Sequence, residues 1–222
     1  MNYYEFEAND QMWNNWLIFA ELKEDPWIGV KPRYRRLLCP KCDKFDHDAV
    51  FKEGFDADVR IRGRGDIIAT DDGFHCINEK VKRIIEAEHY KGITLKPLGN
   101  SGWHVASITL RLKADPEAYE LHKPFCRQCK RAAEVTGLLQ FLSQVDVPKT
   151  SGRFFSTLTD RHCSSNFDRP VLVSEDIVVR LKKAGIKGGM FRKLLNADEE
   201  AVLKTSIAKG KCRWPANSKV LL

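Results

Sequence analysis

Two cysteine clips constrain this chain more than any other feature: Cys39-Pro-Lys-Cys42 and Cys126-Arg-Gln-Cys129. Each is a C-x-x-C, a spacing that lets two thiolates on one tight turn reach a single metal ion. Together they supply the four sulfurs of a closed, tetrahedral zinc site. In a compact ribbon about 15–20 residues separate such clips; here 83 do. A whole structural unit must therefore sit inside the metal-closed loop. The competing use of a C-x-x-C is redox chemistry, which needs one clip on a thioredoxin-like βαβ pattern, and neither clip has that setting. Four thiolates leave no open position for water or substrate. The expected ion, Zn2+ on Cys39, Cys42, Cys126 and Cys129, is thus structural and not catalytic.

The other cysteines bear on the compartment. Seven is an odd number, and Cys76, Cys163 and Cys212 stand alone, which fits buried thiols in a reducing environment better than a disulfide framework. No apolar run is long enough to cross a bilayer, and the opening Met1-Asn-Tyr-Tyr-Glu-Phe-Glu lacks the basic and apolar regions of a leader. The expected location is the cytoplasm, without membrane contact. A net charge of +7 raises nucleic acid or an acidic protein as partners. The cations are dispersed, however, over Arg33/Arg35/Arg36, Arg60/Arg62/Arg64, Lys182/Lys183 and Lys209/Lys211/Arg213, with acidic residues between them. Such a pattern reads as a solvated surface before it reads as a footprint.

An internal repeat organises the rest. Residues 72–100 align without a gap to residues 168–196, at a constant offset of 96. Asp72/Asp168, Glu79/Glu175, Lys91/Lys187, Gly92/Gly188, Leu98/Leu194 and Asn100/Asn196 are identical; Val81/Ile177, Ile85/Leu181, Tyr90/Ile186, Leu95/Phe191 and Lys96/Arg192 keep their class. Each copy predicts a short apolar strand ending at an N-cap, Asn78 or Ser174. An acidic residue follows in the first helical turn, where it suits the helix dipole. The helix buries Val81, Ile84 and Ile85, or Ile177, Val178 and Leu181. A Lys-Gly turn then leads into a second strand, Ile93–Leu95 or Met190–Phe191.

Elsewhere, Tyr3–Phe6 and Trp103–Leu112 read as strands, and residues 12–22 suit a strand or a short helix. Asp58–Arg62 alternates apolar and basic, which predicts a half-exposed strand with Arg60, Arg62 and Arg64 on one face. Ala132–Val145 is apolar enough for a helix, though Gly137 interrupts it. Val147–Phe155 is a loop entering a short apolar element, and the tail from 200 begins as a helix. The expected fold is α+β: a mixed sheet with two pseudo-repeated strand-helix-strand units, stapled by the four-cysteine site. The division falls between an N-terminal half, 1–145, and a C-terminal half, 146–222, packed as one body.

No catalytic constellation emerges. Glycine-rich phosphate loops, H-E-x-x-H and G-x-S-x-G are absent from the sequence. His47-Asp48, His75-Cys76 and His162-Cys163 are neighbours in sequence, but a catalytic cysteine needs its base across space. Cys76 falls in an apolar strand and reads as a buried thiol. His122 is a substitute metal ligand that four cysteines leave unneeded, and Asp71-Asp72 ahead of Gly73 reads as turn chemistry.

The order C-P-x-C, strand-helix-strand with Lys-Gly, C-x-x-C, Val-Pro…Phe-Phe and a closing Val-Ser-Glu-helix-Gly-Ile-Lys-Gly resembles the double-CXXCG family. That family occurs as paralogues in myxobacteria, and some members are immunity proteins of toxin–immunity pairs. Val171–Leu195 is also similar to the closing segment of a broader immunity-protein family of polymorphic toxin systems. The likeness spans about residues 35–196 and departs at one defining place: Asp43 and Lys130 follow the clips where the family has glycine. It implies a cytoplasmic, non-enzymatic bacterial protein that neutralises a cognate toxin by binding it. The alternative function is a zinc-containing nucleic-acid-binding regulator, with Arg33/Arg35/Arg36 and Arg60/Arg62/Arg64 on phosphates.

Overall fold

A computed structural model describes residues 1–8, 15–22, 25–112, 120–122, 126–129, 134–136, 141–156, 171–209 and 219–221. In chain order these residues form β1 (Tyr3–Ala8), β2 (Phe19–Leu22), β3 (Asp25–Val30), α1 (His47–Glu53), β4 (Ile67–Ala69) and β5 (His75–Asn78). Next come α2 (Glu79–Ala87), β6 (Ile93–Pro97), β7 (Trp103–Ile108), β8 (Glu120–His122), β9 (Glu134–Thr136) and β10 (Phe154–Ser156). The chain ends with β11 (Val171–Ser174), α3 (Glu175–Lys183), β12 (Gly189–Lys193), α4 (Ala197–Ala208) and β13 (Lys219–Leu221).

Two larger sheets result, ordered β4-β5-β7-β6 and β10-β11-β1-β12-β13, with β2-β3 and β8-β9 as separate pairs. The α+β class predicted from the sequence holds. A strand-helix-strand crossover makes its two strands parallel, but a third strand enters between them: β7 between β5 and β6, β1 between β11 and β12. Every ladder among the described residues is therefore antiparallel. The mixed character expected of the sheet shrinks to isolated parallel bridges, Lys91–Arg153, Arg111–Ser156 and Phe141–Leu195.

The two sheets share one register. β5, α2 and β6 have the bounds of β11, α3 and β12 at the offset of 96. Asn78 faces Trp103 as Ser174 faces Tyr3, and Leu95 faces Ala106 as Phe191 faces Phe6. On the outer side, Ile67 faces Ile77 as Phe154 faces Val173. The units differ in where the middle strand comes from. β7 follows β6 directly, whereas β1 comes from far earlier in the chain, so the sheet built on β11, α3 and β12 takes its central strand from residues 3–8.

The units meet at the Lys-Gly turns. The Lys91 carbonyl accepts from the Phe154 N–H at 2.9 Å, and the Lys187 carbonyl accepts from the Ile67 N–H at 3.2 Å. Each turn thus reaches the other unit's edge strand. Gly92 and Gly188 have φ of 82° and 88°, in the left-handed region where a Cβ is costly. A Cβ there would also sink into the Phe154 or Ile67 carbonyl oxygen. The approach of the two backbones explains why glycine stands at both matched positions.

Alternation along the strands assigns the cores. Ile77, Val171 and Val173 face a shared cluster with Phe6, Phe191 and the predicted helix residues Val81, Ile84, Ile85, Ile177, Val178 and Leu181. Full burial of such a side chain contributes about 1.5–3 kcal/mol, so α2 and α3 are held chiefly by this cluster. Cys76 points the opposite way, into a second cluster with Leu17, Tyr34, Phe45, Val50, Phe74 and Val105. Tyr3, Val145, Phe155, Leu172 and Leu194 form a third.

Several local expectations change. The Asn78 side chain caps α2 by accepting from the Val81 N–H at 3.1 Å, but Ser174 makes no side-chain cap on α3. Its hydroxyl accepts from the Arg153 N–H instead, and the Glu175 N–H finds the Asn2 carbonyl. Residues 58–62 are not a strand. Val59 is buried and Arg60 and Arg62 are exposed, but the segment has no neighbouring ladder. A side-chain amide takes that place: Asn15 donates to the Arg62 carbonyl at 2.7 Å and accepts from the Arg62 N–H at 2.8 Å. The helix expected over 132–145 is replaced, in its described parts, by β9 paired with β8 and a 3₁₀ turn at Leu142–Gln144. β7 stops at Ile108 because the chain beyond it leaves β6 for β10, with the Leu112 N–H on the Ser156 carbonyl at 2.9 Å. Cys163, Asp168, Gly137 and Cys212 lie outside the described residues.

Candidate metal centre

The first clip is shaped by its own backbone. The Cys39 N–H donates to the Lys44 carbonyl at 2.8 Å, and the Cys39 carbonyl accepts from Cys42 and Asp43 N–H groups at 3.3 and 2.9 Å. A bridge between Leu38 and Phe45 closes the turn. Phe45 is buried and stacks on Phe74 at 6.2 Å between centroids, which anchors the knuckle in the second core. Asp43 adopts φ of 54°, and only His89 joins it among the described non-glycine residues with positive φ. Asp43 thus occupies a left-handed position of the kind that favours glycine. Aspartate tolerates that conformation better than most residues.

The second clip meets the first across the 83 intervening residues. Cys39 Sγ lies 3.7 Å from Cys126 Sγ, and Cys42 Sγ lies 3.6 Å from Cys129 Sγ. All four sulfurs fall within 4.8 Å of one another. A tetrahedral zinc with bonds of about 2.3 Å requires sulfur–sulfur separations of about 3.8 Å. The four cysteines predicted from spacing are therefore one group that fits a metal ion.

Its electrostatics favour the same occupant. The Cys129 N–H, and after it that of Gln128, pulls the Cys126 thiol down to about 6. The Lys41 N–H lowers Cys39. Cys42 moves the other way, pushed up to about 12 by burial and then by the three neighbouring sulfurs. Without a cation, burial and the crowding of sulfurs therefore favour the protonated form of Cys42. A divalent ion removes that conflict, because a coordinating thiol is deprotonated outright.

The other candidates do not converge. His75 and Cys76 are successive residues of β5 and point to opposite faces. Burial pushes the Cys76 thiol up, away from a reactive thiolate. His47 Nε2 lies 3.0 Å from the Asp72 carbonyl oxygen. His122 belongs to β8, and His162 lies outside the described residues. Arg33 and Arg36 pair with Asp56 and Glu53, and Arg35 donates to the Val30 carbonyl. Arg60, Arg62 and Arg64 are exposed, on an irregular segment and not on a strand face.

Asp72 exceeds its expected turn role. Its buried carboxylate accepts from the Leu17 and Ile18 N–H groups, both at 2.8 Å, and from the Thr70 hydroxyl at 2.7 Å. It ties Leu17 and Ile18 to the unit inside the metal loop. No spacing rule signals a bond between positions that far apart in sequence. No helix among the described residues is long and apolar enough to cross a membrane. No family model matches the chain, and no curated protein matches it significantly.

Proposed function

We propose that the chain is a zinc-stapled, non-enzymatic binding protein of the immunity type, which neutralises a cognate bacterial toxin in the cytoplasm by direct contact. The observation that carries this proposal is the closed cysteine group. Four sulfurs at tetrahedral separation pin residues 39–42 to residues 126–129, and such a site stiffens a scaffold without offering a reactive position. Zinc is the ion best matched to four thiolates in that geometry. The shared register of the two units supports a duplicated scaffold, and the order of motifs resembles that of double-CXXCG immunity proteins.

The test has two readouts on the purified full chain. Metal analysis should return one zinc per chain. Tagged protein drawn from its native cells, in low and high salt and after nuclease treatment, should retain one protein partner throughout. Co-expression should then relieve that partner's toxicity. Nucleic acid that is recovered and lost as salt rises would transfer the function to the exposed arginines, since each neutralised phosphate releases counterions.

A further inference from the structure

The two matched units differ at one edge. β12 carries β13 on its outer side, antiparallel, with Met190, Phe191 and Arg192 facing Leu221, Val220 and Lys219. β6 holds the equivalent place in the first unit, with Thr94, Leu95 and Lys96 at those positions. Among the described residues no strand lies on the outer side of β6.

Hydrogen bonding fixes which groups that edge presents. The Gly92 carbonyl accepts from Thr109, and the Leu98 N–H donates to Trp103. Alternate residues of β6 therefore face β7, while Ile93, Leu95 and Pro97 turn their backbone groups outward. An open row of N–H and carbonyl groups is a template for another extended chain. The usual guard is withdrawn: Lys96 Nζ is folded back onto the Phe51 and Lys52 carbonyls at 2.6 and 2.9 Å. Pro97, which lacks an N–H, marks the end of the usable edge.

Side chains define what would fit. Ile93 and Leu95 lie on the helix side and pack against the shared core. Thr94 and Lys96 lie on the other side, with Lys96 over the Phe51 ring at 5.2 Å. A strand added here would place apolar residues beside Leu95 and acidic residues beside Lys96. The exposed Lys52 and Lys91 and the net charge of +7 favour the same acidic complement.

We propose that the outer edge of β6 is the docking site for an extended segment of a partner protein, antiparallel and alternating apolar with acidic residues. The proposal rests on the binding function above in taking the partner to be a protein.

The probe is the labelled peptide Glu-Val-Glu-Val-Glu-Val, added to the zinc-loaded full chain and compared with its proline-interrupted counterpart. Binding should slow amide exchange at Ile93 and Leu95 and leave Thr94 and Lys96, already bonded to β7, unchanged. Leu95→Pro deletes the central outward donor and keeps the β7 ladder. It should weaken the peptide about tenfold, the effect of one or two lost backbone bonds. The exchange readout needs no variant, so a poorly folded Leu95→Pro does not blunt the test. No peptide binding, or binding without protection of Ile93 and Leu95, overturns the proposal. So does concentration-dependent protection of these amides in the free protein, which would assign the edge to a second copy. A partner that co-purifies equally with wild type and Leu95→Pro overturns the edge but leaves the binding function standing. A wild type that captures no partner, yet protects both amides against the peptide, overturns the binding function and upholds the edge.

Discussion

Replacing Cys42 by serine should remove the staple and not merely weaken one turn. An ion held by both clips closes a loop of 83 intervening residues; an ion held by one clip closes only its own turn. Treated as a cross-link on the unfolded chain, closure of the long loop is worth about 4.5 kcal/mol at 25 °C by the chain-entropy relation. A chain of 222 residues loses roughly 2–4 °C of melting temperature per kcal/mol, so Cys42→Ser should melt about 9–18 °C below wild type. The assay is thermal unfolding of wild type and Cys42→Ser, each with and without a chelator, alongside metal content. Chelation should lower the wild type by a similar amount and add little to the variant, because both remove the same link. A Cys42→Ser protein that kept its metal, or melted within about 2 °C of wild type, would refute the shared site, since that change corresponds to less than about 1 kcal/mol.

Three further outcomes follow from named contacts. Gly188→Ala and Gly92→Ala should each cost about 2–4 kcal/mol, adding left-handed strain to displacement of a carbonyl, whereas Gly102→Ala, with open space around its Cβ, should cost only the strain; chemical denaturation separates the three. Asp43→Gly should stabilise by about 0.5–1 kcal/mol by relieving the left-handed aspartate, visible as a rise in melting temperature with metal content unchanged. In metal-free protein, Cys126 alkylation should reach half its limiting rate near pH 6. Its folded value lies below its unfolded one, so its contribution to stability is present at high pH and is lost as pH falls through about 6; a midpoint in the ordinary thiol range would refute the role of the Cys129 N–H.

Local chemistry was legible in the sequence where one residue type performs one task. The clips located all four cysteines because C-x-x-C spacing is itself the geometry of the turn. Helical periodicity named the six buried residues of α2 and α3, and the matched Lys-Gly pairs marked two turns. Long-range partnership was not legible. Nothing in Tyr3–Phe6 says that it will lie between β11 and β12, because both strands of a crossover are consistent with direct parallel pairing. Arg60 and Arg62 alternate with Val59 and Ile61 as in a strand, yet it is the side-chain amide of Asn15 that bonds the Arg62 backbone. Ser174 looks like a cap, but the nearby Arg153 N–H takes its hydroxyl. Each departure comes from a distant group that won a bond the local pattern had assigned elsewhere.

The placement of β1 has a consequence for the order of events during synthesis. In the first unit β4 to β7 are contiguous, and their contacts can form soon after residue 108 is made. β1 is translated earlier still, yet its partners lie more than 160 residues further on. At a ribosomal rate of about 5–20 residues per second, it waits roughly 10–30 s with Tyr4, Phe6 and Ala8 unmatched. Closing the second sheet is then a search across most of the chain length, the kind of contact that slows folding most. Maturation of this protein should accordingly be limited by the capture of residues 3–8, with the first unit already formed and acting as the surface on which that capture takes place.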